Sequence, residues 1–161
     1  MTSSLQRATH TDLSLPQLAD RLAIRELIDA YAFCADRRDA EGQMSLFTSD
    51  TEFLVYMDSR SAKPSQTIKG RGGLRPVFAD LNQYVATTHF NGQSEVEVDG
   101  DLGTGVTYCL AHHVKEEGAG RSIMIASIRY LDRFVKREGR WYFEQRKLMV
   151  DWVDKRPLKA S

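Results

Sequence analysis

The sequence predicts an α+β domain, helical in its first third and an antiparallel sheet beyond it. Three observations carry that expectation. Apolar residues return at helical spacing from Leu18 to Ala35. From Val85 onward, segments rich in β-formers are broken only by the short turns Asp99-Gly100-Asp101, Glu117-Gly118-Ala119-Gly120 and Glu138-Gly139. No helix-length segment separates those turns, so successive strands connect as hairpins and the sheet is expected to be antiparallel and meandering.

Taken in order, Ser14 is placed to cap the first helix, with Pro16 in its first turn. Leu18, Leu22, Ile24, Leu27, Ile28, Tyr31 and Ala35 form its apolar face, and Asp20, Arg21, Arg25, Glu26 and Asp29 suit a solvated one. The helix is expected to end near Arg37 to Asp39. A second helix, capped by Asp39, is expected over Ala40 to Phe47, with a turn at Thr48-Ser49-Asp50. Glu52 to Met57 reads as a strand, Asp58 to Gln66 as a polar loop, Thr67 to Gly70 as a short strand and Leu74 to Tyr84 as a brief helix. Four long strands follow, over Val85 to Val98 (one strand, or one broken at Asn91-Gly92), Gly103 to Lys115, Ser122 to Val135 and Trp141 to Val150. With no internal repeat and no dividing linker, 161 residues make one domain, expected over residues 15–153 between tails at 1–14 and 154–161.

Composition narrows the function classes. The 22 basic and 22 acidic residues cancel, so there is no broad basic field for nucleic acid or an anionic membrane. Lys69, Arg71 and Arg75 are a weak substitute for one. No apolar run reaches the ~18 residues that a spanning helix needs. Two cysteines, Cys34 and Cys109, are too few for a disulfide framework and read as buried thiols of a reducing, cytoplasmic setting.

Asp36 stands at the end of the first helix, where the helix dipole disfavours negative charge and the preceding Phe33-Cys34-Ala35 is apolar. Such a carboxylate is paired or has its pKa raised; the plainer alternative leaves it solvated and neutralised by Arg37 and Arg38. His89, in Thr87-Thr88-His89-Phe90, is either an ordinary strand histidine or a base. If it faces a pocket and meets Asp36, the carboxylate fixes its tautomer and stabilises the imidazolium. His112 and His113 point to opposite faces of a strand. Cys109 and His113 share a face but stand about 13 Å apart, too far to share one metal. Neither HExxH nor CxxC occurs, so no metal site is expected. Lys69-Gly70-Arg71-Gly72-Gly73 lacks the Gly-Lys-Ser/Thr ending of a phosphate loop, and Trp141, Tyr142 and Phe143 read as core.

Four stretches in this order resemble the SnoaL-like branch of the nuclear-transport-factor-2-like superfamily, which includes scytalone dehydratase and bile-acid 7α-dehydratase. They are Ile24-Arg25-Glu26-Leu27-Ile28 leading to Tyr31 and Asp36; Leu46-Phe47-Thr48-Ser49-Asp50; Thr88-His89-Phe90-Asn91-Gly92; and Gly139-Arg140-Trp141-Tyr142-Phe143 with Arg146. The resemblance runs from Leu18 to Trp152. It implies a cone: a strongly curved, mixed, mostly antiparallel sheet wrapped over N-terminal helices around a pocket. It further implies an Asp36–His89 dyad, with Tyr31 as a second polar group and Arg146 completing the site. On a regular helix Tyr31 and Asp36 lie about 140° apart, so the length of the tyrosine or an irregular helix end must bring them together. His113, Cys109 and Phe53 are the residues expected to touch the substrate.

The expected function is a cofactor-free elimination or isomerisation of a small, mostly apolar, oxygenated or cyclic substrate, with His89 as general base. The expected assembly is a homo-oligomer, trimer or dimer, by resemblance only. Two alternatives stay open: a non-catalytic module that binds a small molecule or a partner subunit, and a different chemistry such as epoxide opening or cyclisation. Epoxide opening would need a second carboxylate that the sequence does not identify.

Overall fold

A computed structural model describes residues 12–159. Helix α1 spans Leu15–Asp36. The Ser14 side chain accepts from the Gln17 amide while the Gln17 side chain reaches back to Ser14, a capping box that satisfies donors the first turn leaves free. Ile24, Leu27, Ile28, Tyr31, Ala32 and Ala35 make its buried face. Helix α2 spans Ala40–Ser45, with Asp39 accepting from the Gly42 amide at 2.7 Å. It stops short of the expected Phe47 because Leu46 and Phe47 are drawn into the sheet: the Phe143 amide donates to the Leu46 carbonyl at 2.9 Å.

Strand β1 spans Phe47–Tyr56, so the turn expected at Thr48-Ser49-Asp50 is extended chain. Pairing with the last strand at Phe47 and again from Glu52 carries the chain through it in spite of local turn preference. Strand β2 is Gln66–Lys69, and a single 3₁₀ turn over Arg71–Gly73 leads into α3, Leu74–Ala79. A second 3₁₀ turn, Asp80–Gln83, replaces the last part of the expected helix. Strands β3 (Ala86–Asp99), β4 (Leu102–Glu117), β5 (Gly120–Arg137) and β6 (Arg140–Leu158) complete the chain.

The six strands form one sheet in the order β2-β1-β6-β5-β4-β3. Its second half is the expected hairpin meander, but the sheet is not wholly antiparallel: β1 runs parallel to β6. After the β1–β2 hairpin the chain crosses through α3 to the far edge and returns strand by strand, so first and last long strands become neighbours. Both β2 and β3 remain open edges, and the helices pack on one face of this curved, unclosed sheet. Register shifts between Asn91 and Ser94, Ser127 and Ile128, and Arg133 and Phe134 mark bulges, which bend strands.

One boundary is corrected by the structure. From Asp154 on, a tail was expected, yet β6 pairs with β5 as far as Leu158 opposite Arg121. Its composition misled: among the described residues no strand pairs with this stretch on its other side, where β1 ends opposite Met149, and charged residues and proline belong on such an edge. Within the expected N-terminal tail, residues 1–11 lie outside the described chain, as do residues 160–161.

The core is aromatic. Phe47 lies 5.0 Å from Phe143 and 6.0 Å from Phe53 between ring centroids, and Tyr31 meets Phe47, Phe78, Tyr130 and Phe143 edge-on. Among the described residues no helix is long and apolar enough to cross a membrane.

Candidate active site

Two periodicities meet where α1 crosses the edge strand β3. On the helix, Asp29 and Asp36 are seven residues apart and share a face; on the strand, Thr87, His89 and Asn91 share a side. The Asn91 amide donates to the Asp29 carboxylate at 3.0 Å, and the Thr87 hydroxyl donates to Asp36 Oδ1 at 2.9 Å. His89 is held twice. Its backbone N–H donates to Asp36 Oδ2 at 3.0 Å and its ring Nδ1 lies 2.7 Å from Asp36 Oδ1. An edge strand leaves alternate N–H groups without a strand partner, and Asp36 supplies the missing acceptor.

Burial pushes the Asp36 carboxyl up, but hydrogen bonds from the His89 ring and backbone and from Thr87 outweigh it and hold it below its ordinary value. An ionised carboxylate only accepts, so His89 Nδ1 carries the hydrogen and Nε2 keeps the lone pair that a general base needs. The alternative of a carboxylate neutralised by its neighbours is not realised. Arg37 lies over the Phe33 ring at 5.5 Å, and Arg38 bonds the Ala35 and Asp36 carbonyls, Thr87 and the Tyr84 carbonyl, not the carboxylate.

Asp36 and His89 line a cavity of about 240 Å³ together with Asp29, Ala32, Phe33, Phe90 and Asn91. Phe33 and Phe90, 61% and 66% exposed, give it two apolar walls. A larger hollow of about 440 Å³, which includes Glu95, Arg133 and Lys147, lies away from the pair.

The other expected site residues do not line the 240 Å³ cavity. His113 is buried behind His89, with ring centroids 5.5 Å apart and Tyr84 on its other side at 4.8 Å. Burial, then the neighbouring His89 and Arg38, push it down to about 4, so it is neutral near pH 7; its Nδ1 is buried with no hydrogen-bond partner among the described residues. His112 is the outward member, its Nδ1 3.3 Å from the Thr88 carbonyl. Cys109 is buried and its thiol is pushed up to about 11, chiefly by that burial. Phe53 sits in the aromatic core.

Tyr31 and Arg146 converge on each other and not on the dyad. The Arg146 guanidinium lies 4.2 Å from the Tyr31 ring, 4.1 Å from Tyr130 and 4.0 Å from Phe143. It forms two hydrogen bonds to Asp132, at 2.8 and 2.7 Å. Burial first of all drives the Tyr31 hydroxyl up to about 12. The 140° between Tyr31 and Asp36 explains the divergence: α1 stays regular through Asp36, so one side chain enters the core as the other meets the edge strand.

Sequence reasoning missed Thr87, Asn91, Asp29 and the clamp made by Arg38. The signal was present in the matched spacings, seven on the helix and two on the strand. Among the described residues, no group of three or more His, Cys, Asp or Glu is placed to hold a metal.

The SnoaL-like domain family model matches residues 16–147. The Mycobacterium tuberculosis protein Rv2910c, itself uncharacterized, is 28% identical over 134 residues, which is 80% of this chain and 84% of that one. The structure of Rv3472, a protein of unknown function from Mycobacterium tuberculosis, is 29% identical with a TM-score of 0.70, covering 84% of this chain and 74% of that one. Hexachlorocyclohexane dehydrochlorinase LinA-type3 from Novosphingobium barchaimii LL02 is 22% identical with a TM-score of 0.71, over 91% of this chain and 95% of that one. At that identity the last likeness shows the fold alone.

Proposed function

This chain belongs to the SnoaL-like domain family, and on that premise we propose that it is a cofactor-independent lyase or isomerase in which His89, oriented by Asp36, is the general base. The observation that carries this reading is the double hold of Asp36 on His89 beside a cavity of about 240 Å³. The fit is to a small, mostly apolar substrate: pockets for drug-sized ligands begin near 300 Å³ (~300–1,000 Å³). The ring lies against Phe33 and Phe90, and its oxygen or halogen is directed to the polar side.

In the elimination, Nε2 takes a proton from the carbon next to the one that bears the leaving group. The C–H electron pair becomes the second bond of the alkene, and hydroxide or halide departs with its own pair. The imidazolium is stabilised by Asp36 and passes its proton to a departing hydroxide or to water. Isomerisation uses the same first step and returns the proton to a different carbon. A positioned base typically contributes about 10²–10⁴-fold, and orientation in the cavity supplies the rest. Tyr31 and Arg146 are assigned to the framework under the site, because Arg146 already has Asp132 as its partner.

The test is turnover on a panel of small cyclic hydroxy-ketones and halogenated cycloalkanes in deuterated water. Loss of water or halide, or uptake of deuterium, is expected from the wild type and not from His89→Ala. Equal turnover by His89→Ala overturns the reading. For assembly, Phe90, Leu110, Ser127 and Trp152 are paired in one row across β3, β4, β5 and β6, and the three large ones are exposed. This row is the proposed face of a homo-oligomer. Sedimentation of Leu110→Glu as a monomer, against an associated wild type, is the expected check.

A further inference from the structure

The residue that ends α1 is unusual for its place. Asp39 N–H bonds the Cys34 carbonyl at 2.9 Å and Arg38 N–H bonds the Ala35 carbonyl at 3.2 Å, the pair of contacts that closes a helix with one left-handed residue. That residue is Arg38, at φ +62°. Glycine is favoured there, and a side-chain-bearing residue costs roughly 1 kcal/mol. Both terminal nitrogens of the arginine side chain are engaged. One nitrogen, Nη1, lies 3.1 Å from the Ala35 carbonyl, 3.4 Å from that of Asp36 and 2.6 Å from Thr87 Oγ1, while Nη2 donates to the Tyr84 carbonyl at 3.1 Å.

Hydrogen counting then orders the contacts. A guanidinium only donates, so Thr87 Oγ1 must accept from Arg38. The single Thr87 proton is left for Asp36 Oδ1, 2.9 Å away, the same oxygen that faces His89 Nδ1. A directed chain results: Arg38 to Thr87 to Asp36, with His89 donating from the other side. Bonds in such a chain polarise one another.

We infer that Arg38 and Thr87 are positioning residues that fix the Asp36 carboxylate and restrain its basicity, so that Asp36 orients the His89 ring with part of its charge already committed to other donors. This rests on the Asp36–His89 reading and adds to it. Two donors share Oδ1, so the imidazole meets only part of that oxygen's charge. The Arg38 cation also opposes charge on the ring. The groups facing the His89 ring from every side are Asp29, Asp36 and Arg38 from α1 and its end, Tyr84 and Thr87 ahead of and on β3, and Cys109 and His113 from β4, with His112 on the opposite face. Within this set only Asp29 and Asp36 are carboxylates, and only Asp36 touches the ring.

The test needs no substrate. Nitrogen-resolved NMR of the histidine rings in the intact protein reads both the tautomer and the titration midpoint of the His89 signals. Thr87→Val keeps the shape and removes the hydroxyl. It is expected to raise the midpoint by about half to one pH unit, since Oδ1 then answers to the imidazole alone. Thr87→Ser restores the hydroxyl and is expected to return the midpoint to the wild-type position. Arg38→Gly, which also relieves the left-handed backbone, is expected to move it the same way as Thr87→Val while the protein stays folded. A merely structural role predicts instead that Arg38→Gly changes the melting temperature and leaves the midpoint alone. If Asp36→Asn moves the signals and neither Thr87→Val nor Arg38→Gly does, the positioning role is wrong and the dyad stands. If Asp36→Asn also leaves them in place, the dyad falls and this inference with it.

Discussion

Asp132 and Asp36 each face a nitrogen-bearing side chain, and their surroundings oppose each other in nearly every respect. Asp132 is sealed in the core, with both oxygens on Arg146 and three aromatic rings around the guanidinium. Burial there pushes its carboxyl up by more than Arg146 pulls it down. Asp36 lies at the rim, where three donors and partial access to solvent leave its carboxyl below the ordinary value. Its partner is a base that can both take and release a proton, whereas arginine holds its proton throughout. A sealed ion pair orders the core but has no route for a proton; an accessible pair beside a cavity has both the route and the room. Charge pairing is therefore common to both regions, and a titratable partner beside a cavity is what sets Asp36 apart.

The largest expected effect separates the two regions by function. His89→Ala or Asp36→Asn should lower kcat/KM by about 10²–10⁴-fold. The same variants should shift the urea midpoint little, because the site sits at the edge of the sheet; paired kinetic and unfolding curves check both halves. Arg146→Ala should do the reverse. It leaves Asp132 buried without a counter-ion and is expected to cost roughly 3–5 kcal/mol in urea unfolding. Replacing the pair together, Arg146→Met with Asp132→Leu, should recover most of that loss, and a double variant no better than the single one would contradict the desolvation account.

His113 lies between the two regions and gives the next effect. Its folded value is about 4 against an ordinary 6.5. Between those values the unfolded chain holds a proton that the folded one does not, so stability falls as pH drops from 6.5 toward 4 and is whole above that window. The loss attributable to this one group is at most roughly 3 kcal/mol. His113→Gln should flatten that part of the stability–pH curve, as denaturant midpoints across the window would read. The smallest test uses the cysteines. Cys34 is partly exposed near the rim and Cys109 is buried on the core side. A thiol reagent should label Cys34 slowly and Cys109 only on unfolding; equal rates would mean that the inner side opens as readily as the rim.

Much of the fold was legible in the chain. Helical spacing from Leu18 to Ala35, the Ser14 cap and three glycine-bearing turns correspond to α1 and to the β3–β6 meander. The parallel β1–β6 pairing was not legible, because no local signal reports which strand a crossing connection returns to. The extension of β6 to Leu158 was hidden by a composition that suits an edge strand and a tail alike. At the site, Asp36 and His89 stood out by chemistry and by resemblance. Thr87 and Arg38 did not, since a threonine in a strand and an arginine after a helix are ordinary until their contacts are seen.

Sequence by itself determined most of the element types and the residues able to carry acid–base chemistry, since periodicity, capping and side-chain pKa are properties of short segments. It also placed an arginine where a glycine would close the helix more cheaply. Only the tertiary structure decided which groups meet. α1 had to cross the sheet at β3 for Asp36 to reach the free edge of His89, and the regular end of α1 had to turn Tyr31 inward, away from that edge and onto Arg146. Contacts between segments far apart in the chain are set by packing, and no single segment carries that information.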